Sequence, residues 1–308
     1  MNKKFRSFMN NRKLCKSSYV DDGRHTLWEL YKRFLKLEDG WSREVIYWQK
    51  SEIGDFPVLL FKTKKKGPAL WVLSGIHGEE PAGPNALYEN VHLLQSLKNE
   101  NIPMVFIPMC NPLGYFRNWR YPNEYRDYQK GTSVGDSEHL LFNEDYHPRR
   151  IMPACDEADQ LTKAVLKNIN PRPPILSMDF HEDEDSRGSN TFSYIYSQGK
   201  MGVADPIAKM VVEILSGHDV LLQTNGVTRF GDTIVDGIVN ASKDGSIDEL
   251  LASNVIYKNN SMILKHPAKT VIVVETPSVG VPLEKRVMAH SEIIHHLEMF
   301  FHMAHEGY

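Results

Sequence analysis

Cysteine is scarce in this chain of 308 residues, which contains only Cys15, Cys110 and Cys155. Three scattered cysteines are too few for a disulfide framework and do not have the spacing of a zinc site built from thiolates. We therefore expect reduced, mostly buried thiols, as is typical of proteins that work in a reducing compartment such as the cytoplasm.

Long apolar runs and an excess of positive charge are also missing. No window approaches the ~20 apolar residues of a membrane-spanning helix, and no apolar stretch follows the basic N-terminal residues as it does in a secretory signal. Lysine and arginine (36) are balanced by aspartate and glutamate (39), and the net charge is −3. These features predict a cytoplasmic protein with no membrane span and no nucleic-acid partner.

Apolar segments of two kinds alternate along the chain. Predicted strands cover 44–49, 56–61, 68–76, 101–109, 174–180, 191–196 and 269–274; predicted helices begin near 26 and 81 and cover 156–167, 206–215 and 288–303. This alternation indicates an α/β fold, a single catalytic domain over 23–308 with a mixed, mostly parallel central sheet flanked by helices. Residues 1–22 are polar and basic and are predicted to form a loosely held N-terminal arm. The aperiodic stretch 111–150 is predicted to be a long functional loop.

The segment His77-Gly-Glu-Glu80 directly follows a predicted buried strand. Its histidine and last glutamate are three residues apart, so both can bind one metal ion, and both donor types suit Zn²⁺. A third ligand is available in His181, which ends another apolar strand. Two histidines and one glutamate leave a fourth zinc position for water, a common arrangement in hydrolases. The sequence therefore predicts one Zn²⁺ per chain, held by His77, Glu80 and His181.

Two further residues have the chemistry that such a hydrolase needs. Glu275 terminates the apolar run that starts at Thr270, and a carboxylate at the end of a core strand is costly unless it is paired or lies in a cleft. Beside a zinc site, Glu275 can act as general base and then as general acid. Arg120, in the segment Arg117-Asn-Trp-Arg120, can stabilise a developing oxyanion.

These segments together resemble the zinc metallocarboxypeptidase family of the carboxypeptidase A type, over about residues 68–277. In chain order, the segments that carry the resemblance are Gly75-Ile-His77-Gly-Glu-Glu80, Asn111-Pro-Leu-Gly114, Arg117-Asn-Trp-Arg120, Asp179-Phe-His181, Gly245-Ser-Ile-Asp248 and Val274-Glu275-Thr-Pro277. The resemblance implies a carboxypeptidase-like fold, the three zinc ligands, Arg120 as the oxyanion donor and Glu275 as the catalytic glutamate. Each segment is short, but six in the same order are hard to obtain by chance.

The chain departs from the family where the substrate's terminal carboxylate would be held. The family has an Asp-x-Asn-Arg segment there, and the best match is Asp136-Ser-Glu138-His139. Asp136 is kept, and we expect its carboxylate to orient the imidazole of His77 without binding the metal itself. Glu138 and His139 replace the Asn and Arg, which removes the bidentate carboxylate clamp. Arg149 or Arg150 is an alternative clamp.

Three other positions complete the predicted substrate site. The Gly245-Ser-Ile-Asp248 segment is similar to the one beside the family's active-site tyrosine, and that tyrosine position falls on Leu251 here. Tyr257 is the nearest substitute, and Arg117 is a further candidate for contacting substrate. The acidic run Glu182-Asp-Glu-Asp185 is interpreted as a solvated loop or as an acidic lip that selects an amine-bearing substrate.

Three functional hypotheses remain at this point. The leading one is a metallocarboxypeptidase-like hydrolase of an amide or peptide bond with an altered carboxylate pocket, acting on a peptide or an acylated amino acid. The second is an N-acyl amino acid deacylase that resembles the aspartoacylase and succinylglutamate desuccinylase branch. The third is a non-catalytic peptide-binding protein. The sequence does not indicate an oligomeric state.

Overall fold

The computed structural model describes residues 3–11, 20–37, 39–123, 131–183 and 192–307. The strands, β1–β12 in chain order, are Trp41–Gln49, Phe56–Thr63, Ala69–Ser74, Met104–Ile107, Pro174–Asp183, Tyr194–Ser197, Gly226–Val227, Thr233–Val235, Ile238–Asn240, Val255–Lys258, Ser261–Leu264 and Thr270–Pro277. The helices, α1–α10, are Lys3–Asn10, Leu27–Phe34, Ala82–Glu89, Val91–Asn99, Pro112–Arg117, Asp156–Ile169, Pro206–Ser216, Ile247–Ala252, Leu283–His295 and Leu297–Glu306. Short 3₁₀ helices lie at Glu138–Leu140 and Gly202–Ala204.

One mixed sheet organises the fold, with its strands in the order β1-β2-β4-β3-β5-β12-β6-β9-β8-β7. The central strands β4, β3, β5 and β12 are parallel, whereas β1, β2 and β6 pair antiparallel with their neighbours on the central side. β10 and β11 form a separate hairpin. The predicted α/β class, a mixed central sheet flanked by helices, is confirmed.

Both faces of the sheet are buried, as the apolar composition of its central strands requires. Along β3, Leu70 and Val72 pack into one apolar cluster, whereas Trp71 and Leu73 pack into the other. Residues of α6 and α8 cover the second face, and residues of the remaining helices cover the first. Because successive side chains of a strand point to opposite faces, a continuous apolar strand needs helices on both sides.

The N-terminal residues are more ordered than predicted. Lys3–Asn10 forms α1, and Phe5 and Phe8 are buried in the first apolar cluster. Their rings lie 6.2 and 5.9 Å from the ring of Tyr31 in α2. The expectation of a loosely held arm is therefore wrong over this helix, because two aromatic side chains spaced at one helical turn anchor it to the core. The domain boundary at residue 23 stays a prediction.

One predicted helix start is confirmed and two predicted helices are interrupted. At Thr26, where a helix was predicted to begin, the hydroxyl accepts a hydrogen bond from the Glu29 amide, and the Glu29 carboxylate accepts one from the Thr26 amide at 2.7 Å. This reciprocal pair is a capping box. The helices predicted near 81 and over 288–303 are each broken in two, at Asn90 and at His296. Of the predicted strand 191–196, Thr191 lies outside the described residues.

The stretch predicted as a loop contains α5. Asn111 caps this helix by accepting a hydrogen bond from the Gly114 amide at 3.0 Å, and Pro112 occupies its first turn. Asn118 ends it with a left-handed backbone conformation (φ 57°). Asparagine followed by proline is a signal for the start of a helix. It was missed because a helix of six residues is too short to show a clear apolar periodicity.

Within the described ranges, every helix is too short or too polar to cross a lipid bilayer.

Candidate metal centre and adjoining cavity

Three parallel strands bring the predicted metal and base residues together. His77 follows β3, His181 lies near the end of β5, and Glu275 lies near the end of β12. His181 and Glu275 are direct partners in the pairing of β5 with β12. Because the carboxyl ends of parallel strands share one edge, residues far apart in sequence meet there.

Glycine permits the turn that carries His77. A Cβ atom on Gly78 would lie 2.0 Å from the carbonyl carbon of Gly114, so a larger residue would force the turn away from α5. Gly75 has a φ of +65°, a conformation that favours glycine. The turn ends at α3, whose first amide (Ala82) donates a 2.7 Å hydrogen bond to Glu182. These contacts place Glu80 between β3 and β5.

His77, Glu80 and His181 form a compact donor set. His77 Nδ1 lies 2.9 Å from Glu80 Oε1, and His181 Nδ1 lies 3.0 Å from Glu80 Oε2. The donor atoms of the three residues are all within 4.8 Å of one another, and the imidazole rings are 5.1 Å apart. Glu80 and His181 are buried. Two imidazole nitrogens and a carboxylate converge on one point, which is the ligand chemistry of a metal site.

The far side of His181 supports the same interpretation. Its Nε2 lies 3.2 Å from Asp179 Oδ2, two residues earlier on the same face of β5. A carboxylate near one ring nitrogen fixes the tautomer of a ligating histidine and leaves the other nitrogen for the metal. The residues present therefore fit a zinc ion.

The charges of this cluster are strongly coupled. Burial alone would lower the pKa of His181, but Asp179 and Glu80 outweigh it and raise that pKa well above its ordinary value. Burial lowers the pKa of His77 to about 3, and Arg120 contributes in the same direction. Burial opposes the ionised form of Glu80, yet both histidines lower its pKa well below the ordinary value. A negatively charged carboxylate is thus held between two imidazoles.

Arg120 lies beside this donor set. Its Nη1 atom donates to Glu80 Oε1 at 2.8 Å and to Glu79 Oε1 at 3.2 Å. Burial raises the pKa of Glu79 to about 7, although Arg120 acts against that shift. The guanidinium is therefore positioned at the predicted place by two consecutive glutamates, of which the sequence interpretation used only Glu80.

Glu275 faces the same space as the two histidines. Its carboxyl group is partly accessible, and within the described ranges its Oε2 has no hydrogen-bond partner. Burial raises its pKa well above the ordinary value; Glu80 and Asp183 add to this effect, and His181 and Arg120 oppose it. A carboxyl group with a raised pKa and a vacant oxygen suits proton transfer.

A cavity of about 450 Å³ connects these residues to a second set of polar groups. Its lining includes His77, Arg120, His181 and Glu275. It also includes Tyr196, Phe230 and four aspartates, Asp136, Asp232, Asp244 and Asp248, of which Asp248 has a carboxylate oxygen within 4.8 Å of His181 and Asp179. The structure therefore brings together all three predicted metal ligands and both predicted catalytic residues.

Asp136 lines the cavity, but its contacts differ from those predicted. Its carboxylate accepts from the Glu138 amide at 3.2 Å and lies 3.4 Å from Arg150. Over the described ranges it makes no hydrogen bond to His77, so the predicted orienting role is not seen. The carboxylate that does contact a predicted ligand histidine is Asp179, which lies 3.2 Å from His181. Its i, i+2 spacing from His181 on a strand was the signal available in the sequence.

The other candidates for the carboxylate clamp are engaged elsewhere. Glu138 pairs with Arg150 at 2.6 Å, and Arg149 pairs with Glu249 through both of its terminal nitrogens. Arg117 pairs with Glu52. His139 is half-buried, and burial lowers its pKa. None of these is a lining residue of the cavity as far as the structure describes it.

The two positions proposed for the active-site tyrosine are wrong as cavity residues. Leu251 is fully buried in the second apolar cluster, because α8 turns that side chain toward the core. Tyr257 lies on the β10–β11 hairpin, where its hydroxyl donates to Asn260 at 3.2 Å. The tyrosine that does line the cavity is Tyr196 on β6.

The acidic run after His181 is also corrected in part. Glu182 and Asp183 are buried in β5. Glu182 pairs with Arg286, and Asp183 accepts from the Tyr194 hydroxyl at 2.6 Å and pairs with Arg229 at 2.9 Å. Both residues belong to the end of the strand and not to a solvated loop. Glu184 and Asp185 lie outside the described residues.

Comparisons with known proteins support the fold. No protein-family model matches the chain, and no curated protein matches it in sequence. Solved structures do match. A protein from Shewanella baltica that carries the provisional name of metallopeptidase aligns with a TM-score of 0.65 and 19% identity, covering 88% of this chain and 90% of that one.

Two further matches are described as a metallo-carboxypeptidase and as a complex with a carboxypeptidase inhibitor. A metallo-carboxypeptidase from Burkholderia cenocepacia aligns with a TM-score of 0.56 and 11% identity, over 90% of this chain and 68% of that one. Bovine thrombin-activatable fibrinolysis inhibitor, in complex with a tick carboxypeptidase inhibitor, aligns with a TM-score of 0.54 and 12% identity, over 93% and 99%. The chain has a metallocarboxypeptidase-like fold. Identities this low establish the fold alone, and not the reaction.

Proposed function

We propose that this protein is a zinc-dependent hydrolase of an amide or peptide bond, similar to the metallocarboxypeptidases. One observation carries the proposal: the Nδ1 atoms of His77 and His181 face the two oxygens of Glu80, and Glu275 lines the same cavity. The set provides three metal ligands and a separate carboxylate for proton transfer.

His77, Glu80 and His181 would hold the zinc ion, with Asp179 behind His181. When bound at such a site, zinc lowers the pKa of a water ligand to roughly 7 and polarises a carbonyl group. With zinc bound, His77 and His181 would supply neutral nitrogen donors, His181 having released its proton, and Glu80 would supply the one negative charge. The surrounding burial excludes bulk water and strengthens each of these electrostatic interactions.

Glu275 would remove a proton from the attacking water and then deliver it to the leaving nitrogen. Its raised pKa suits both directions of transfer, since an acid–base group works best when its pKa is near the working pH. Arg120 would donate to the oxyanion that forms on the carbonyl oxygen. Its contacts with Glu79 and Glu80 fix the guanidinium before substrate arrives, which is the preorganisation that such stabilisation needs.

The contacts of the candidate clamp arginines support an altered carboxylate pocket. Arg117, Arg149 and Arg150, the arginines considered for a carboxylate clamp, each pair with a glutamate outside the lining of the cavity. Among the described residues, a standard carboxypeptidase substrate would therefore find none of these three arginines free as the bidentate partner for its terminal carboxylate.

The proposal is tested by metal analysis and by hydrolysis of a substrate panel. The purified protein is expected to contain about one zinc per chain and to hydrolyse a member of a panel of peptides with free or amidated C-termini and N-acyl amino acids. The variant Glu275→Gln should keep its zinc and lose about 10²–10⁴-fold in rate. Turnover confined to N-acyl amino acids would favour the deacylase alternative, and a chain that never binds metal would favour the binding protein.

A further inference from the structure

A buried ion pair lies behind the candidate metal centre. Glu182 directly follows His181 in β5, and successive side chains of a strand point to opposite faces, so its carboxylate points away from the side that His181 occupies. Its Oε1 accepts a hydrogen bond from Nη1 of Arg286 in α9. Glu182 is 1% exposed and Arg286 is 6% exposed. We refer to these two residues as the buried pair.

The stability of the fold is a weak reason for the buried pair. Two charges that are taken out of water lose their hydration, so an ion pair in a protein core adds little over apolar side chains of similar size. Neither residue lines the cavity as far as the structure describes it. The remaining contacts of Glu182 indicate what the pair positions.

The second carboxylate oxygen of Glu182 caps α3. The first amides of a helix have no partner within the helix, and Pro81, which precedes α3, has no polar side-chain atom to offer them. Glu182 Oε2 accepts the hydrogen bond of the Ala82 amide at 2.7 Å. A carboxylate is also favoured at this end of a helix by the helix dipole. Glu182 therefore fixes the start of α3 from a neighbouring strand.

The start of α3 in turn carries the metal ligand Glu80, two residues before Ala82. The backbone amide of Glu182 donates directly to Glu80 Oε2 at 3.1 Å. The helix also packs tightly on β5, because a Cβ atom on Gly83 would lie 2.7 Å from the Cβ atom of Phe180. The position of the Glu80 carboxylate therefore depends on how α3 is held against β5.

We propose that Glu182 and Arg286 are positioning residues for the metal ligand Glu80. Arg286 fixes the carboxylate of Glu182, and Glu182 fixes the start of α3, so that the Glu80 carboxylate stays between His77 and His181. This inference rests on the proposed function, because it requires a metal ion at that site. Neither residue of the buried pair binds the metal or contacts substrate, and both act through Glu80.

Zinc affinity tests the inference without any turnover. The full-length protein would be stripped of metal and titrated with Zn²⁺ against a chromophoric chelator. Arg286→Met replaces the guanidinium with an apolar side chain, and Glu182→Gln removes the charge but keeps an acceptor for the Ala82 amide. Each variant should bind zinc about 10–100-fold more weakly than the parent, the usual effect of losing a residue that orients a metal ligand.

Arg172 provides the matched control. It is 5% exposed and donates to the backbone carbonyls of Thr63 and Lys64, and it precedes β5, at the other end of that strand from His181. Arg172→Met should lose stability as Arg286→Met does, yet bind zinc like the parent. Arg286→Lys keeps the charge and should bind zinc more tightly than Arg286→Met. Circular dichroism would establish that each variant is folded before titration.

Two further measurements report on the geometry itself. Replacing zinc with Co²⁺ gives a visible absorption spectrum that depends on coordination geometry. This spectrum should change in Arg286→Met and Glu182→Gln but not in Arg172→Met. The double variant of Glu182→Gln and Arg286→Met should lose no more affinity than the weaker-binding single variant, because the two residues act along one series of contacts.

The outcomes separate this inference from the proposed function. A parent protein that binds zinc, with unchanged affinity and Co²⁺ spectra in both single variants, would overturn the inference and leave the proposed function intact. Equal loss of zinc affinity in Arg172→Met, or additive losses in the double variant, would overturn it as well. A parent protein that binds no zinc would overturn both. Where Arg286→Met does not fold, Glu182→Gln and Arg286→Lys decide the same question.

Discussion

Two groups of residues line the central cavity, and they are held differently. The first group, His77, His181 and Glu275, lies at or just beyond the ends of the parallel strands β3, β5 and β12, and Arg120 joins it from the segment after α5. The second group comes from a hairpin turn, from the segment before α8 with the first turn of that helix, and from the segment that contains Asp136. In the first group, charged side chains contact Glu80 at 2.8–3.0 Å, whereas in the second group Asp232 and Asp244 accept hydrogen bonds only from neutral donors among the described residues.

This difference in how the two groups of residues are held bears on what each group can do. Groups fixed by strand pairing and by mutual ion pairs are preorganised, which is what binding a metal and stabilising a charged transition state require. Groups on turns and short segments can differ between related proteins without disturbing the sheet. Under the proposed function, we therefore expect the chemistry to depend on the strand-end group and the choice of substrate on the group from turns and short segments.

The largest of the effects that test this contrast concerns Arg120. Arg120→Ala should lower the rate of amide hydrolysis by about 10²–10³-fold, because one donor to the oxyanion is lost, while zinc content stays near that of the parent. Steady-state kinetics and metal analysis measure the two quantities on the same preparation. Arg120→Lys keeps the positive charge and should retain more activity than the alanine variant. A full rate in Arg120→Ala would remove this residue from the proposed mechanism.

A second test distinguishes residues that stabilise the apolar core from residues that line the cavity. Leu251→Ala should destabilise the fold by about 2–5 kcal/mol, because a fully buried leucine is truncated, and chemical unfolding would measure that loss. Tyr257→Phe removes one hydrogen bond to Asn260 at the surface and should change neither stability nor rate appreciably. Tyr196→Phe alters a cavity residue and should affect turnover more than Tyr257→Phe. The reverse order would restore Tyr257 to the active site.

The smallest effect concerns His290, which packs behind the strands β5 and β12 that carry His181 and Glu275. His290 of α9 is fully buried, contacts the Thr276 hydroxyl at 2.9 Å and packs on Phe180 of β5. Burial lowers its pKa from 6.5 to about 3. Between these values the unfolded chain binds a proton that the folded protein does not. The contribution of His290 to stability is therefore complete above pH 6.5 and is lost as the pH falls, by at most about 1.4 kcal/mol per pH unit.

The variant His290→Gln isolates this contribution. Unfolding free energies at pH 7, 6 and 5 should fall less steeply in the variant than in the parent. A comparison of slopes is needed because burial raises the pKa of Glu182 to about 7, so that this carboxyl group favours the fold at low pH and acts in the opposite direction. Identical slopes in the two proteins would show that His290 is protonated without penalty.

The sequence interpretation succeeded where side-chain positions follow from regular secondary structure. His181 and Glu275 end apolar runs that were predicted to be strands, and strand pairing places them side by side. It failed at Leu251, because packing against the sheet decides which side of the short helix α8 faces the core, and Leu251 lies on that side. It also missed Asp232 and Asp244, whose neighbours in space come from other segments.

The sequence by itself determined the α/β class, the three metal-binding candidates, Glu275 and Arg120, because these depend on apolar periodicity and on the chemistry of residues at strand ends. Only the tertiary structure decided which carboxylate supports His181, that Asp136 pairs with Arg150, and which groups from turns and short segments line the cavity. Those features depend on distances between turns and short segments, and such distances arise from packing that no local pattern encodes.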